Sequence, residues 1–438
     1  MNRGDTIFAL ASAAGRAGVA VFRVSGPSAG DCVKALTRQE IPPSHRAVVR
    51  RLRGRGGLID EALVLWFAGP ASLTGEDVAE FQVHGGRAIA EALAAELGAL
   101  PGCRPAEPGE FTRRAVENGK FDLTQAEAVA DLVDAETEAQ RRQALRQYDG
   151  ALGALYEGWR AELVKVLAWA EAAIDFSDEE LPDGMLAEAR RSAESVRKAI
   201  ETHLNDARRG ELVREGLFLT VIGPPNAGKS SLVNALAGRD VAIVSETAGT
   251  TRDVIEVRMD LGGYAVILAD TAGLCAASEA VEAEGVRRAL ARAEAADLVL
   301  LLLDGSEENS SVYLPENMVN KPCLTVWNKV DLFWPVRREG LKLSLKTGKG
   351  LEAVISAIAA AAKERLEGGS DAPPLTRPRH RHALGEAVAA LQRAAEASQP
   401  ELFAEDLRLA LRSLGRITGR VDVEELLDTI FRDFCIGK

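Results

Sequence analysis

The chain has 438 residues, carries a formal net charge of −12 at neutral pH, and is 47% apolar. This length predicts about three domains, and the apolar fraction is sufficient for several hydrophobic cores. The negative charge disfavours indiscriminate nucleic-acid binding, which depends on Lys and Arg neutralising phosphates. Any RNA contact therefore requires a local basic patch.

Neither the apolar segments nor the cysteines suggest a membrane or an export pathway. The amino-terminal residues have no long apolar core, and the apolar run at 298–304 is too short to span a bilayer. The cysteines have no spacing typical of a disulfide framework or a zinc site, which favours a reducing compartment. They are Cys32, Cys103, Cys275, Cys323 and Cys435. We therefore expect a cytoplasmic protein that does not bind membranes.

The hydrophobic patterns change three times along the chain. Strand-like runs with one clearly helical stretch predict an α+β domain, and long Ala-, Leu- and Glu-rich segments then predict a helical domain. Alternating strands and helices next indicate a doubly wound α/β domain, after which helical periodicity resumes with interruptions expected at Pro400 and Gly415. Because helical sequence flanks the α/β part on both sides, we expect it to be an insertion into one helical domain. The predicted boundaries are 1–117, 118–212, 213–368 and 369–438.

Short motifs in the α/β part predict a guanine-nucleotide site. The first fits GxxxxGK(S/T), in which backbone N–H groups face phosphate oxygens, Lys229 reaches the outer phosphates and Ser230 ligates magnesium. Asp331 can accept two hydrogen bonds from the N–H groups of guanine, which adenine cannot match. The motifs are GPPNAGKS at 223–230, TAGTTRD at 247–253, DTAG at 270–273 and NKVD at 328–331.

A looser motif, Ser344-Leu345-Lys346, follows a strand-like run and could hold the O6 side of the base through backbone N–H groups and Lys346. With it, the residues predicted to contact GTP and its magnesium are Asn226, Ala227, Gly228, Lys229, Ser230, Ser231, Ser245, Glu246, Thr247, Ala248, Gly249, Thr250, Thr251, Asp270, Thr271, Ala272, Gly273, Asn328, Lys329, Val330, Asp331, Ser344, Leu345 and Lys346.

Leu274 stands where Ras-like GTPases have the glutamine that orients the attacking water. Leucine cannot polarise water, so either hydrolysis is very slow or another residue takes that role. Glu279, Glu282 and Glu284 lie shortly downstream, where a carboxylate could act through a bridging water. Spacing alone does not distinguish them.

The order of domains, the phrase GPPNAGKSSLVNALAGRDVAIVSETAGTTRDV, the DTAGL that follows and the terminal FCIGK resemble the MnmE/TrmE-type tRNA modification GTPases over essentially the whole chain. The resemblance implies an aminomethyl-type modification at C5 of the wobble uridine of certain tRNAs. It also implies a homodimer joined through the N-terminal domain and an FAD-containing flavoprotein partner, in a heterotetramer or larger complex. A reduced folate, 5,10-methylene- or 5-formyl-tetrahydrofolate, would supply the one-carbon unit.

The same resemblance assigns roles in the GTPase site. It selects Glu282 as the catalytic carboxylate beside Lys229, and Thr251 as a second magnesium ligand. Potassium would be held by Asn226, Ser245, Thr247 and Thr250, and would replace an arginine finger. Arg252 is either a competing finger or a residue that stabilises the switch. Cys275 stands where the family often has arginine, so a role for that arginine does not transfer.

The implied folate positions are Arg23, Glu80, Lys120 and Lys438. A carboxylate suits the donors of a pterin ring, and Arg or Lys suits the glutamate tail. Cys435 is a candidate reactive thiol, and the CIGK ending does not fit a prenylation box. If these positions converge, the C-terminal tail must fold back onto the N-terminal domain of its own or a partner subunit.

Two other functions fit the switch motifs alone. One is a ribosome-assembly or RNA-chaperone GTPase that binds RNA without modifying it, although we find no appended RNA-binding module. The other is a signalling switch, which has no need for two large helical flanks.

Overall fold

The computed structural model describes most of the chain, and its residues form two compact units. The described residues are 4–175, 185–239, 242–243, 256–269, 296–307, 321–332, 339–367, 372–421, 424–432 and 434–437. One unit comprises residues 1–130, 148–161 and 408–438, and the other comprises residues 131–147 and 162–407.

The N-terminal part is the α+β fold that its alternating runs predict. Helices α1 (Ala29–Thr37) and α2 (Arg87–Gly98) pack on a core that contains Phe22, Val64 and Phe81. A smaller cluster around Ile7 and Phe111 includes α3 (Glu110–Glu117). The sheet has the order β3-β4-β5-β2-β1-β6. Its strands are β1 (Thr6–Leu10), β2 (Ala17–Ser25), β3 (Ala47–Gly54), β4 (Gly57–Phe67), β5 (Val78–Gly85) and β6 (Cys103–Pro105).

The helical sequence after residue 118 folds into several separate helices. Thr137 begins a new helix because its hydroxyl accepts the Gln140 N–H at 3.5 Å, while Gln140 Oε1 accepts the Thr137 N–H at 3.0 Å. This reciprocal arrangement is a capping box. The helices in this region are α4 (Leu123–Asp134), α5 (Glu138–Tyr148), α6 (Ala151–Asp175), α7 (Met185–Leu204) and α8 (Arg209–Glu215).

The inserted part is the expected α/β fold. Its described strands have the order β12-β11-β10-β7-β9-β8, and all neighbours are parallel except β8 and β9. Helices α9 (Lys229–Ala237) and α10 (Leu351–Leu366) contribute Leu232 and Val354 to the core that the sheet forms with them. The strands are β7 (Leu217–Ile222), β8 (Glu256–Leu261), β9 (Tyr264–Ala269), β10 (Leu298–Asp304), β11 (Cys323–Asn328) and β12 (Leu341–Lys342).

Helical structure resumes after the insertion with α11 (Pro378–Glu396), α12 (Pro400–Thr418) and α13 (Glu424–Arg432). Helix α11 packs along α7, as an insertion into one helical domain requires. The expected interruption at Gly415 is wrong, because α12 continues through it. A Cβ there would lie 2.9 Å from Val421 Cγ2, so the glycine permits close packing. Among the described residues, no helix is both long and apolar enough to cross a membrane.

Candidate functional site

The glycine-rich loop follows β7 at the centre of the α/β sheet and leads directly into α9. A Cβ at Gly223 would lie 2.0 Å from Leu302 O, and one at Gly228 would lie 2.5 Å from Asn328 Nδ2. Gly228 and Asn226 also have positive φ angles, of 102° and 61°. This turn therefore requires glycines and leaves the first N–H groups of α9 without helical partners, which is the geometry of an anion site.

Lys229 holds its ammonium group against this loop. Its Nζ donates to Gly223 O and Pro224 O, each at 2.9 Å. The next residue, Ser230, is exposed in the first turn of α9. A cation and an exposed hydroxyl therefore lie beside the N–H groups of the loop, as the P-loop motif predicts.

Asn328 joins the phosphate loop to the predicted base loop. Its side chain is buried, Nδ2 donates to Ala227 O at 2.8 Å, and Oδ1 accepts the Leu345 N–H at 3.2 Å. Two segments separated by more than a hundred positions are thereby fixed to each other through one amide. NKVD and the loose SLK motif belong to one site in the structure.

Asp331 is oriented by a residue of the SLK motif. The buried Ser344 hydroxyl donates to Asp331 Oδ1 at 2.6 Å, while the Asp331 side chain is exposed. This hydrogen bond, aided by the charge of Lys346, holds the pKa of the Asp331 carboxyl below its usual value. An ionised, positioned carboxylate is what guanine recognition requires.

Asp304 supports this site and was not predicted from the sequence. Lys329, whose φ is 62°, donates from Nζ to Asp304 Oδ2 at 2.6 Å. Burial opposes ionisation of Asp304, but hydrogen bonds from Lys329 and Ser306 outweigh it and lower its pKa. The sequence feature that could have pointed to Asp304 is its position as the one acidic residue at the end of the apolar strand LVLLLLD.

The other predicted GTPase residues lie partly within and partly outside the described residues. Ala227 is fully buried, Val330 N–H donates to Leu343 O at 3.3 Å, and Asn226 and Ser231 are exposed. The residues outside the described ranges are Ser245, Glu246, Thr247, Ala248, Gly249, Thr250, Thr251, Arg252, Asp270, Thr271, Ala272, Gly273, Leu274, Cys275, Glu279, Glu282 and Glu284.

In the N-terminal sheet, two predicted folate residues contact each other. Arg23 on β2 lies opposite Glu80 on β5, and its Nη2 is 2.8 Å from Glu80 Oε1. The Arg23 guanidinium also lies 5.8 Å from the centre of the Phe111 ring. Lys120 is exposed and donates from Nζ to Pro70 O at 2.9 Å, which is a separate contact.

The C-terminal tail lies against the N-terminal domain of its own chain. Gly109 N–H donates to Cys435 O at 3.3 Å, and Ile436 forms an antiparallel bridge with Pro108. Gly437 has a φ of 98°, and a Cβ there would lie 2.3 Å from Leu10 O. Leu10 is the last residue of β1, and Ala9 before it pairs with Arg23 on β2. The tail therefore reaches the neighbourhood of Arg23; Cys435 is exposed, and Lys438 lies outside the described residues.

A buried ionic network also supports this part of the sheet. Glu110 receives two hydrogen bonds from Arg104, at 2.6 and 2.8 Å, and one from Arg114 at 3.1 Å. Burial opposes ionisation of Glu110, but these bonds outweigh it and lower its pKa. Arg114 Nη1 also lies 3.1 Å from Glu76 Oε2, so the network connects α3 with the loop before β5. Little in the sequence indicates this network, because charges on a short helix are usually solvated.

The α/β fold, the glycine-rich loop and the assembled NKVD and SLK motifs define a P-loop GTPase. Two family profiles match the chain: the GTP-binding protein TrmE N-terminus over residues 6–120 and the MnmE helical domain over residues 123–435. The chain belongs to the MnmE family of tRNA modification GTPases.

Full-length relatives carry the same family name. The tRNA modification GTPase MnmE of Paramagnetospirillum magneticum is 56% identical over 99% of this chain and 100% of its own length. That of Rhodospirillum rubrum is 54% identical over 99% of each chain. Among solved structures, a variant of Aquifex aeolicus Era bound to GDP and aluminium fluoride is 24% identical over 42% of this chain and 69% of its own, with a TM-score of 0.26. A TM-score this low does not establish a shared arrangement of the two chains.

Proposed function

We propose that this GTPase acts in the cytoplasm with an FAD-containing flavoprotein and tRNA, building an aminomethyl-type group on C5 of a wobble uridine. The observation that carries the proposal is the extent of the likeness, since relatives named tRNA modification GTPases match along 99% of the chain. The family profiles cover the N-terminal domain and the helical parts of the chain as well as the GTPase segment. The chain is proposed to dimerise through residues 1–117 and to have helical parts at 118–212 and 369–438 around a GTPase domain at 213–368.

The described part of the GTPase site fits GTP and magnesium. The loop before α9 offers N–H groups and the Lys229 ammonium to phosphates, and Asp331 offers an ionised carboxylate to guanine. Ser230 and Thr251 would ligate magnesium, which when bound neutralises phosphate charge. The Lys229 ammonium carries three N–H donors, so contact with the outer phosphates does not require it to leave the carbonyl oxygens of Gly223 and Pro224.

Hydrolysis is proposed to depend on a carboxylate and a monovalent cation. Glu282 would orient the attacking water through a second water, because Leu274 cannot. Asn226 is exposed on the phosphate loop with a positive φ, so its side-chain oxygen is accessible to a cation. Potassium, held there together with Ser245, Thr247 and Thr250, would supply the positive charge that an arginine finger supplies elsewhere.

The N-terminal sheet is proposed to hold a reduced folate. Glu80 is already oriented by Arg23, and both side chains are about four-fifths buried, with exposed fractions of 17% and 21%. A buried, oriented carboxylate suits the paired N–H donors of a pterin ring, and Lys120 and Lys438 would receive the glutamate tail. Cys435 would be carried to the same site by the tail as a reactive thiol.

The proposal is tested by deleting the gene and measuring wobble-uridine modification in total tRNA by mass spectrometry. The modified nucleoside should disappear and should return with the wild-type chain but not with Lys229→Ala, which removes the phosphate-binding ammonium. Intact modification together with accumulated ribosome precursors would instead favour an RNA-chaperone GTPase. Intact modification and normal ribosomes would favour a signalling switch.

A further inference from the structure

One stretch of the N-terminal domain is strongly basic, although the chain as a whole is acidic. Residues 41–59 contain five arginines and no Asp or Glu, whereas the chain as a whole has a net charge of −12. The arginines are Arg46, Arg50, Arg51, Arg53 and Arg55. A local basic patch of this kind is what an otherwise acidic protein needs in order to bind RNA phosphates.

The structure places this stretch on an edge of the sheet. Strand β3 is the outermost strand of its sheet and turns at Arg55 and Gly56 into β4. Arg50 pairs with the buried Ala62 and Arg51 with the exposed Glu61, so the two arginines leave the strand on opposite faces. The turn is exposed, and Leu58 beyond it is 56% exposed. Among the described residues, no strand pairs with the outer side of β3. We call residues 46–58 the arginine hairpin.

Most of this charge is not neutralised within the described chain. Arg46, Arg50 and Arg53 form no ion pair with any described residue. Arg51 is 4.0 Å from Glu61, and Arg55 is 3.4 Å from Glu96, with the two arginine side chains 63% and 75% exposed. Exposed pairs of this kind contribute little stability, so both arginines can exchange their partners for a phosphate.

A second basic stretch shows that such sequences need not be available to a ligand. Residues 372–385 also lack acidic residues and contain three arginines and two histidines. There, Arg377 lies 2.7 Å from Asp131, and Arg381 lies 2.7 Å from Asp206 and 3.0 Å from Glu211. Arg377 and Arg381 are used in internal ion pairs. In the arginine hairpin, by contrast, Arg46, Arg51 and Arg55 are exposed, while Arg50 and Arg53 are half-buried.

We infer that the arginine hairpin binds backbone phosphates of the tRNA, an inference that rests on the proposed function. Arginine suits this role because its planar guanidinium can donate two parallel hydrogen bonds to a phosphate. Strands β3, β4, β5 and β2 are consecutive neighbours, so the hairpin belongs to the same sheet as Arg23 and Glu80. RNA held at this edge lies on the domain that carries the proposed one-carbon site.

The test compares two charge-matched double variants. Arg46→Gln with Arg53→Gln removes two arginines that have no ion pair in the described chain. The control, Arg87→Gln with Arg142→Gln, removes two arginines that are 91% and 75% exposed elsewhere. The probe is a transcribed tRNA with unmodified uridine at the wobble position, and its binding is followed by fluorescence anisotropy over a series of salt concentrations.

The hairpin variant should bind the transcript roughly thirtyfold more weakly at low salt, and its salt slope should fall by about 1.5 to 2. The control variant should match the wild type, and GTP turnover should be unchanged in both. Affinity and slope equal to wild type in the hairpin variant would overturn the inference and leave the proposed function standing. A changed mass by light scattering with an unchanged slope would overturn it in favour of pairing between two copies. A wild-type chain that binds no tRNA would also overturn the inference, while the gene-deletion test would still decide the proposed function.

Discussion

Replacing Asn328 with alanine should damage GTP binding more than a loss of buried volume can explain. The change removes a hydrogen bond of 2.8 Å to Ala227 O and one of 3.2 Å from Leu345 N–H. Asn328 is only 4% exposed, so its partners would lose their bonds where water enters poorly. Each loss costs about 1–3 kcal/mol, which gives about 2–6 kcal/mol in total. Because Asn328 connects the phosphate loop to the base loop, part of this cost falls on nucleotide binding.

If about 2 kcal/mol of this cost falls on binding, GTP affinity decreases roughly thirtyfold. The measurement is titration with a fluorescent GTP analogue, combined with thermal unfolding with and without nucleotide. Val326→Ala is the matched control, because Val326 is fully buried on the same strand and has no side-chain hydrogen bond to lose. The control should lower the melting temperature and leave GTP affinity unchanged. Wild-type affinity in the Asn328 variant, or an equal loss in the control, would refute the reasoning.

Other substitutions test the remaining parts of the proposal. Asp331→Asn should weaken GTP and improve xanthosine triphosphate in competition binding, since the amide complements the oxygen that replaces the exocyclic amine of guanine. Glu282→Ala should retain GTP binding but slow single-turnover hydrolysis by about a hundredfold or more, whereas wild-type speed would exclude this carboxylate. Hydrolysis should fall when sodium replaces potassium, and Asn226→Ala should remove the difference between the salts. Gly437→Ala should weaken reduced-folate binding by about tenfold in calorimetry and leave GTP turnover unchanged. Deletion of residues 435–438 should have the same two effects. Unaltered folate binding in these variants would contradict a role of the tail in the folate site.

The phosphate loop could be predicted from the sequence because the residues that form it are consecutive along the chain. A strand, a glycine-rich turn and a helix start must be contiguous to direct backbone N–H groups at one anion, so residues 217–237 carry the whole signal. The supporting contacts carry no such signal. Lys329 and Asp304 are 25 positions apart, and no spacing rule connects them.

The N-terminal domain has weaker sequence signals for the same reason. Glu110 and Arg114 have helical spacing and would ordinarily be solvated charges, yet both are buried because α3 lies against the sheet. Cys32 and Cys103 are 71 positions apart, yet their Sγ atoms lie 3.4 Å from each other. Burial raises the pKa of both thiols. Scattered cysteines in the sequence therefore do not exclude a thiol contact in the fold.

The position of the C-terminal tail depends on two glycines, Gly109 and Gly437, at which a side chain would collide with its neighbours. Its hydrogen bond from Gly109 N–H and its bridge with Pro108 use backbone groups, which almost any residue could provide. The sequence requirement lies instead in the lack of side chains, since a Cβ at Gly109 would lie 2.8 Å from Phe431 Cδ1 and one at Gly437 would lie 2.3 Å from Leu10 O. The two glycines are far apart in the sequence, yet both lie where the C-terminal residues pack against the N-terminal domain. Because that contact is made within a single chain, disturbing Gly437 should first affect the folate site proposed for the same subunit.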